Sequence, residues 1–350
     1  MSLANEQPED LAWICGLGNY DNPSFPNSLI QTKSTPLNMV QISSSSQKIR
    51  LIASISVAAI FSAVQIHAQD FSAGKPLGAT NEAGDWVEMS DNVKVFGSFH
   101  FAESCTFDPA RNLILAMNSG DRADASLNDG YVSLINPDGS VHTPKWIGAT
   151  RDGLELYNPL GSAIKDGVLY TVDTDTVRLF DLKSGKPLRS IHVPGSSLLN
   201  GIAVADDGTI FASNTRPDWK LYKVTKDGKS SVLVADGKLN VPNGVAMDPD
   251  GNVVVVNIGN RDVITYSPNG KLVRVEQSGE KGSDGIVIME DGTKYVCSVH
   301  HGSVSRIRPG KKAEIIASGI PSAASMCYDS IQHQLVIPMN PNNGLAFLKL

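Results

Sequence analysis

Six copies of one pattern recur about every 40 residues, most copies hold four short β-rich runs, and Gly/Asp turns separate the runs; together these predict an all-β fold, a six-bladed β-propeller with four-stranded antiparallel blades. The clearest copies are ESCTFDPARNLILAMN at 103–118, NGIAVADDGTIFASN at 200–214, NGVAMDPDGNVVVVN at 243–257 and DGIVIMEDGTKYVCSV at 284–299. LGSAIKDGVLYTVD at 160–173 and ASMCYDSIQHQLVIPM at 324–339 are weaker copies. The first residues of successive copies lie 57, 40, 43, 41 and 40 residues apart, and an insertion at 121–130 (DRADASLNDG) accounts for the long first gap.

Each copy begins with an alternating apolar run, turns at Asp-Gly or a similar pair, and returns as a second apolar run, which is a hairpin signal. A third run follows in every copy (YVSLIN, VRLFDL, KLYKVT, VITYSP, SVSRIRP, GLAFLKL), and a fourth in the first five. The sixth copy ends at Leu350 after three runs, and VKVF at 93–96 is placed to supply the fourth and so close the ring. A stacked pair of β-sheets would explain the runs but not the even spacing of the copies.

The N-terminal fifth reads differently. Lys48 and Arg50 precede an apolar run at 51–64, and Ile66-His67-Ala68 ends in a small residue, as in a secretory signal peptide. The run is short for a membrane span, so an uncleaved anchor is the weaker alternative. The sequence therefore divides into a non-native upstream extension at 1–38 (with translation starting at Met39), a signal peptide at 39–68, a linker at 69–92 and the propeller at 93–350. This predicts a secreted or periplasmic protein with no membrane attachment after cleavage. The net charge of −6, with no basic block, disfavours nucleic-acid binding. The four cysteines form no CxxC pair, which excludes a disulfide scaffold or a zinc ribbon. Cys105, Cys297 and Cys327 each sit in an apolar run and read as buried structural residues.

In a propeller the innermost strand of each blade lines the central channel, so the residues that lead the six copies converge at one mouth. They are Glu103, Leu160, Asn200, Asn243, Asp284 and Ala324. Four carry oxygen. Two converging carboxylates repel, and a hard divalent cation relieves that repulsion. Ca2+ accepts six to eight oxygens from carboxylates, amide carbonyls and water, and is the first choice, with Mn2+, Mg2+ or Zn2+ as alternatives. No nitrogen or sulfur ligand leads a copy, which argues against zinc or copper. The plainer reading is that Asn and Asp cap turns at strand starts.

The segments FAESCTFDP, LLNGIAVADDG, VPNGVAMDPDG and GSDGIVIMEDG make the chain resemble the senescence marker protein/gluconolactonase family of six-bladed propellers, with paraoxonase and diisopropyl-fluorophosphatase as more distant relatives. The resemblance covers about residues 90–350 and implies a divalent metal on Glu103, Asn243 and Asp284, with Asn200 beside it on metal or substrate. It also implies hydrolysis of a lactone or related ester. The cation would polarise the carbonyl and activate water, Asp284 would orient that water or act as general base, and Asn200 would hydrogen-bond the substrate. Two positions depart from the family pattern. Cys105 replaces a Pro in the first-blade motif, and Leu198 stands where sugar-lactone members carry an Arg, which points to a more apolar lactone or ester.

His300, with His301, follows the second run of blade 5 and is the candidate for substrate contact or proton transfer at the rim; the plainer reading is a surface turn. His100 carries the same two readings. Arg122 and Asp124 in the first-blade insertion are candidates for a lid. The competing functional reading is a non-catalytic propeller that binds a ligand or protein around a structural Ca2+. A strictosidine-synthase-like propeller is disfavoured by the retention of Glu103 and Asp284.

Overall fold

The second run of each copy is the most continuously apolar, as a strand covered on both faces must be. In the computed structural model these runs are the second strands of six blades, and Leu113–Asn118, Ile210–Asn214, Val253–Asn257, Lys294–Ser298 and Gln334–Met339 are buried along their whole length. The structure describes residues 99–350 apart from 123, 125 and 150–153, together with the backbone of Ala79–Thr80, Trp86–Val87 and Val93–Gly97. The expected extension at 1–38 and the expected signal peptide at 39–68 lie outside the described residues. Within 69–92 the structure describes one short antiparallel pair, Ala79 with Val87 and Thr80 with Trp86.

The inner strands of blades 1 to 6 are Ala102–Asp108, Pro159–Lys165, Leu199–Val204, Pro242–Met247, Ser283–Ile288 and Cys327–Asp329. Each leads a four-stranded antiparallel sheet, and no helix is present among the described residues. The predicted six-bladed propeller is thus the fold. Blade 6 takes its outer strand from the N-terminal side: Val93–Gly97 pairs with Gly344–Lys349, with Leu345 opposite Phe96 and Phe347 opposite Lys94. The closure expected from VKVF therefore forms. Strands of one blade present side chains on both faces, so the core lies between blades. Six apolar clusters fill the six interfaces. One holds Phe211 and Leu221 of blade 3 against Val253, Val255 and Tyr266 of blade 4; another holds Phe107 and Ile114 of blade 1 against Val336 and Phe347 of blade 6.

A β-bulge sits at the start of the inner strand in blades 1 to 5. In blade 3 Leu199 pairs with Asn214 and Ile202 with Ala212, so Asn200 and Gly201 together face Ser213. Asn243 and Gly244 face Val256, Asp284 and Gly285 face Cys297, and Leu160 and Gly161 face Val172 in the same way. In blade 1 the extra residue is Glu103. A bulge releases a side chain from strict alternation and re-aims it. Here the released residue is the one that leads each copy.

The glycine after it is required by close approach. A Cβ on Gly161 or Gly201 would lie 2.2 Å from the carbonyl oxygen of Asn200 or Asn243 in the next blade, and one on Gly244 would lie 2.5 Å from that of Asp284. Facing side chains tie the same junctions: Ser213 Oγ accepts from Gly201 N–H at 2.8 Å and donates to Asn243 O at 2.5 Å. Cys297 repeats this relay, accepting from Gly285 N–H at 3.1 Å and donating to Ala324 O at 2.8 Å. Blades 6 and 1 join differently, through paired backbone bonds from Cys105 N–H to Ser325 O (3.2 Å) and from Ser325 N–H to Glu103 O (3.1 Å). A proline at 105 could not make the first bond.

Gly201→Ala is expected to destabilise the fold by about 1–3 kcal/mol through overpacking against a backbone atom that has no room to move. Urea unfolding measures this, and unchanged stability would contradict the close approach.

Candidate active site

Because neighbouring strands are antiparallel, the residues that lead the inner strands share one end of the channel with the turns that follow the second strands. Glu103, Asn200, Asn243 and Asp284 are buried there, with exposures of 4, 3, 1 and 2%. Leu160 and Ala324 complete the ring as apolar members. Asn243 Nδ2 donates to Asp284 Oδ2 at 3.1 Å, and Ser325 Oγ donates to Asp284 Oδ1 at 3.3 Å. Asn340 Nδ2 donates to Glu103 Oε2 at 2.8 Å. The side-chain oxygens of both Asn200 and Asn243 are buried and accept no hydrogen bond.

Such orphaned acceptors are costly and uncommon in folded proteins. Their cost is compounded by the carboxylates. Burial pushes the Asp284 carboxyl well above its ordinary pKa, and the charge of Glu103 pushes it further. Burial also raises Glu103, opposed by the Arg122 guanidinium and the Asn340 bond. Two carboxylates and two unsatisfied amide oxygens form a donor set of oxygen alone, which fits a hard divalent cation such as Ca2+. The same set, with no nitrogen or sulfur donor, is poor for zinc; among the described residues no group of three or more His, Cys, Asp or Glu side chains is placed to hold a metal ion, so the amide oxygens would have to complete any site. The nearby Cys297 is no thiolate donor: burial and the Asp284 charge hold its thiol well above its ordinary pKa, and its sulfur is engaged in the blade 5 relay. Just inside the ring, a space of about 50 Å3 lined by Gly161, Gly201, Gly244 and Ser325 has room for a few waters. Anything larger can reach the ring only from the mouth.

The other expected residues are placed as follows. His300 is on the turn after Lys294–Ser298, at the same end as Asp284, with its ring against Gly282. His301 Nδ1 is 3.9 Å from Glu280 Oε1. His100 is exposed, and its backbone N–H donates to Asn118 Oδ1. Asp124 is exposed and accepts from Ser126. Leu198 is half-buried beside the core of blades 2 and 3.

Sequence reasoning missed Asn340, Ser325 and the position of Arg122. For Asn340 a register signal existed. It follows the residue paired across from the one before the lead position, as Ser119 and Thr215 do in blades 1 and 3. Those two donate to the next blade at Pro159 O (2.9 Å) and Pro242 O (2.8 Å), and Asn340 reaches the next blade at Glu103.

Asn340→Leu is expected to weaken Ca2+ binding about 10–100-fold in a calorimetric titration, the usual effect of losing a residue that orients a ligand. The raised carboxyls set a pH dependence. The cation-free protein carries no penalty from them below about pH 4, where folded and unfolded chains are both protonated. The penalty appears as pH rises through the elevated folded values and is full above them. A Ca2+ ion held by the ring would remove it, so the rise in Tm on adding Ca2+ should be larger at pH 8 than at pH 5; an equal rise at both would contradict the coupling.

A profile of the family described as SMP-30/gluconolactonase/LRE-like region matches residues 97–283. No curated protein matches the chain in a sequence comparison. Among solved structures, a gluconolactonase from Xanthomonas campestris superposes with a TM-score of 0.57 at 18% identity, covering 80% of this chain and 98% of that one. A streptogramin B lyase superposes at 0.54 and 12% identity, covering 74% and 97%. A virginiamycin B lyase from Staphylococcus aureus superposes at 0.52 and 14% identity, covering 79% and 88%. At these identities the superpositions speak for the fold alone. The family match spans more than half of the chain, and it begins just before Glu103 and ends just before Asp284, with Asn200 and Asn243 inside it: the chain belongs to the SMP-30/gluconolactonase/LRE-like family.

Proposed function

We propose that the protein is a divalent-cation-dependent hydrolase of a lactone or related ester, acting outside the cytoplasm on a small molecule. One observation carries the reading: two ionisable carboxyls and two orphaned amide oxygens meet at the mouth of the channel, an all-oxygen set that supports a cation there. Glu103, Asn243, Asp284 and Asn200 would hold the cation, which supplies polarisation of the ester carbonyl and a lowered pKa for water.

The rest of the chemistry belongs to the chain. Asp284 accepts from Asn243 and Ser325, and these two bonds fix the plane of its carboxylate. A carboxylate so held takes the proton from an attacking water as its oxygen bonds to the acyl carbon. The proton then passes to the departing alkoxide oxygen. Asn200 presents an amide N–H to the ester, and Asn340 keeps Glu103 in place. His300, at the same end, is a second candidate for substrate contact. Leu198 in place of a cationic residue favours a substrate with an apolar portion on the blade 3 side.

A panel of lactones, aryl esters and phosphotriesters, assayed with Ca2+, Mn2+, Mg2+ and a chelator, tests the proposal. Turnover of a lactone or ester that the chelator abolishes and Asp284→Ala eliminates, together with loss of bound cation in that variant, is the expected result. Cation binding with no turnover across the panel would favour a binding propeller around a structural ion. Full turnover in Asp284→Ala would overturn the mechanism.

A further inference from the structure

The junction between blades 6 and 1, where the ring closes, holds two thiols that the hydrolytic reading does not use. Cys105 lies on the inner strand of blade 1 and Cys327 on that of blade 6, with nearly the whole propeller between them in sequence. Both are buried in the apolar cluster that these two blades share. Their strands are held side by side by the paired backbone bonds at Ser325, and Ser104 faces Ser325 across them. The Cys105 thiol reaches over to blade 6 and donates to Val336 O at 3.2 Å. Val336 is the residue paired directly with Cys327, so the Cys105 sulfur sits beside that pair. The two thiols are within hydrogen-bonding reach of each other.

The third described cysteine is placed differently. Cys297 belongs to the core between blades 5 and 6, and its sulfur is engaged with Gly285 and Ala324. All three are free thiols in this structure, sorted into one facing pair and one single residue. The choice of residue at 105 is informative too. Any residue except proline would give the backbone bond to Ser325. What cysteine adds there is a sulfur, and that sulfur meets Cys327.

We propose that Cys105 and Cys327 are the site of an oxidative cross-link, a disulfide that staples the two ends of the ring beside Glu103. The oxidant is the disulfide of a thiol-exchange protein or of glutathione, which the proposed location outside the cytoplasm supplies; the inference rests on that location and not on the hydrolytic chemistry. One protein thiolate attacks the reagent S–S bond and expels a reagent thiolate, leaving a mixed disulfide. The second protein thiolate then attacks the protein sulfur of that bond and expels the other reagent thiolate. One S–S bond breaks and one forms, two electrons pass to the reagent, and the two thiol protons end on the departing reagent thiolates. The new bond needs the two sulfurs to close from contact to about 2.0 Å. Exchange precedes closure of the junction, because burial in the folded protein holds the Cys327 thiol well above its ordinary pKa and the thiolate is the reactive form. A staple around so long a loop removes much chain entropy from the unfolded state. It also fixes Glu103, two residues before Cys105, against the blade whose Asn340 donates to it.

The test uses the full chain, refolded from urea with oxidised and reduced glutathione, trapped with iodoacetamide, digested without reductant and mapped by mass spectrometry. The expected product joins the Cys105 and Cys327 peptides, lighter by two hydrogens, with Cys297 alkylated. The oxidised protein should melt about 5 °C or more above the reduced protein. Cys327→Ala should abolish the link and the rise in Tm. Cys297→Ser should keep both, since a serine makes the same relay at Ser213. If Cys327→Ala does not fold, the peptide map of the unaltered chain decides alone. Cys105 and Cys327 recovered as alkylated thiols or glutathione adducts, or joined to another cysteine, would overturn the proposal, and joined peptides with an unchanged Tm would overturn the staple. Because the experiment supplies the oxidant, a failed link counts against the pair and not against the location outside the cytoplasm.

Discussion

The inner strands of blades 2 to 5 approach the next blade as closely as they do only because the residue after each lead position, Gly161, Gly201, Gly244 or Gly285, has no side chain. The backbone carbonyls of Asn200, Asn243 and Asp284 each lie where the Cβ of a preceding Gly161, Gly201 or Gly244 would be. That contact narrows the axis and, with the bulge beside it, turns the lead residues of successive blades toward one point. The relays through Ser213 and Cys297 then lock neighbouring blades at the same height. The site depends on this packing more than on any loop.

The electrostatics follow from it. Narrowing the axis removes water from Glu103 and Asp284 and brings their charges together, which a folded protein tolerates only with compensation. Hydrogen bonds from Asn340, Ser325 and Asn243 supply part of it. The side-chain oxygens of Asn200 and Asn243 accept no hydrogen bond and take no part in it. On the proposed reading, a cation held there would offset this cost, so the cost of the empty site and the affinity for the cation would have the same origin.

Much of this was legible in the sequence. Repeat spacing alone located Glu103, Asn200, Asn243 and Asp284, because equivalent residues of a propeller share a height on the axis. The ring closure at Val93–Gly97 was legible because a three-run final copy leaves an unpaired edge. The Asn-Gly pair at 243–244 shows where local rules mislead: its plainer reading is a cap on the turn where a strand begins, yet it is a bulge inside a strand whose glycine faces the next blade. Asn340 and Arg122 were hidden for another reason. Asn340 meets Glu103 across 237 positions of sequence, and Arg122 arrives from an insertion that has no counterpart in the other copies. Contacts of that kind depend on side-chain reach after the ring has closed, and no local pattern encodes them.

The central claim is that the four lead oxygens form one cation site. A crystal grown with Mn2+ and measured at the manganese absorption edge tests it most directly. The account predicts a single strong anomalous peak on the propeller axis, with oxygens of Glu103, Asn200, Asn243 and Asp284 all within about 2.6 Å of it. A map with no peak there, or a peak held by other residues while the Asn200 and Asn243 oxygens stay unengaged, would contradict it.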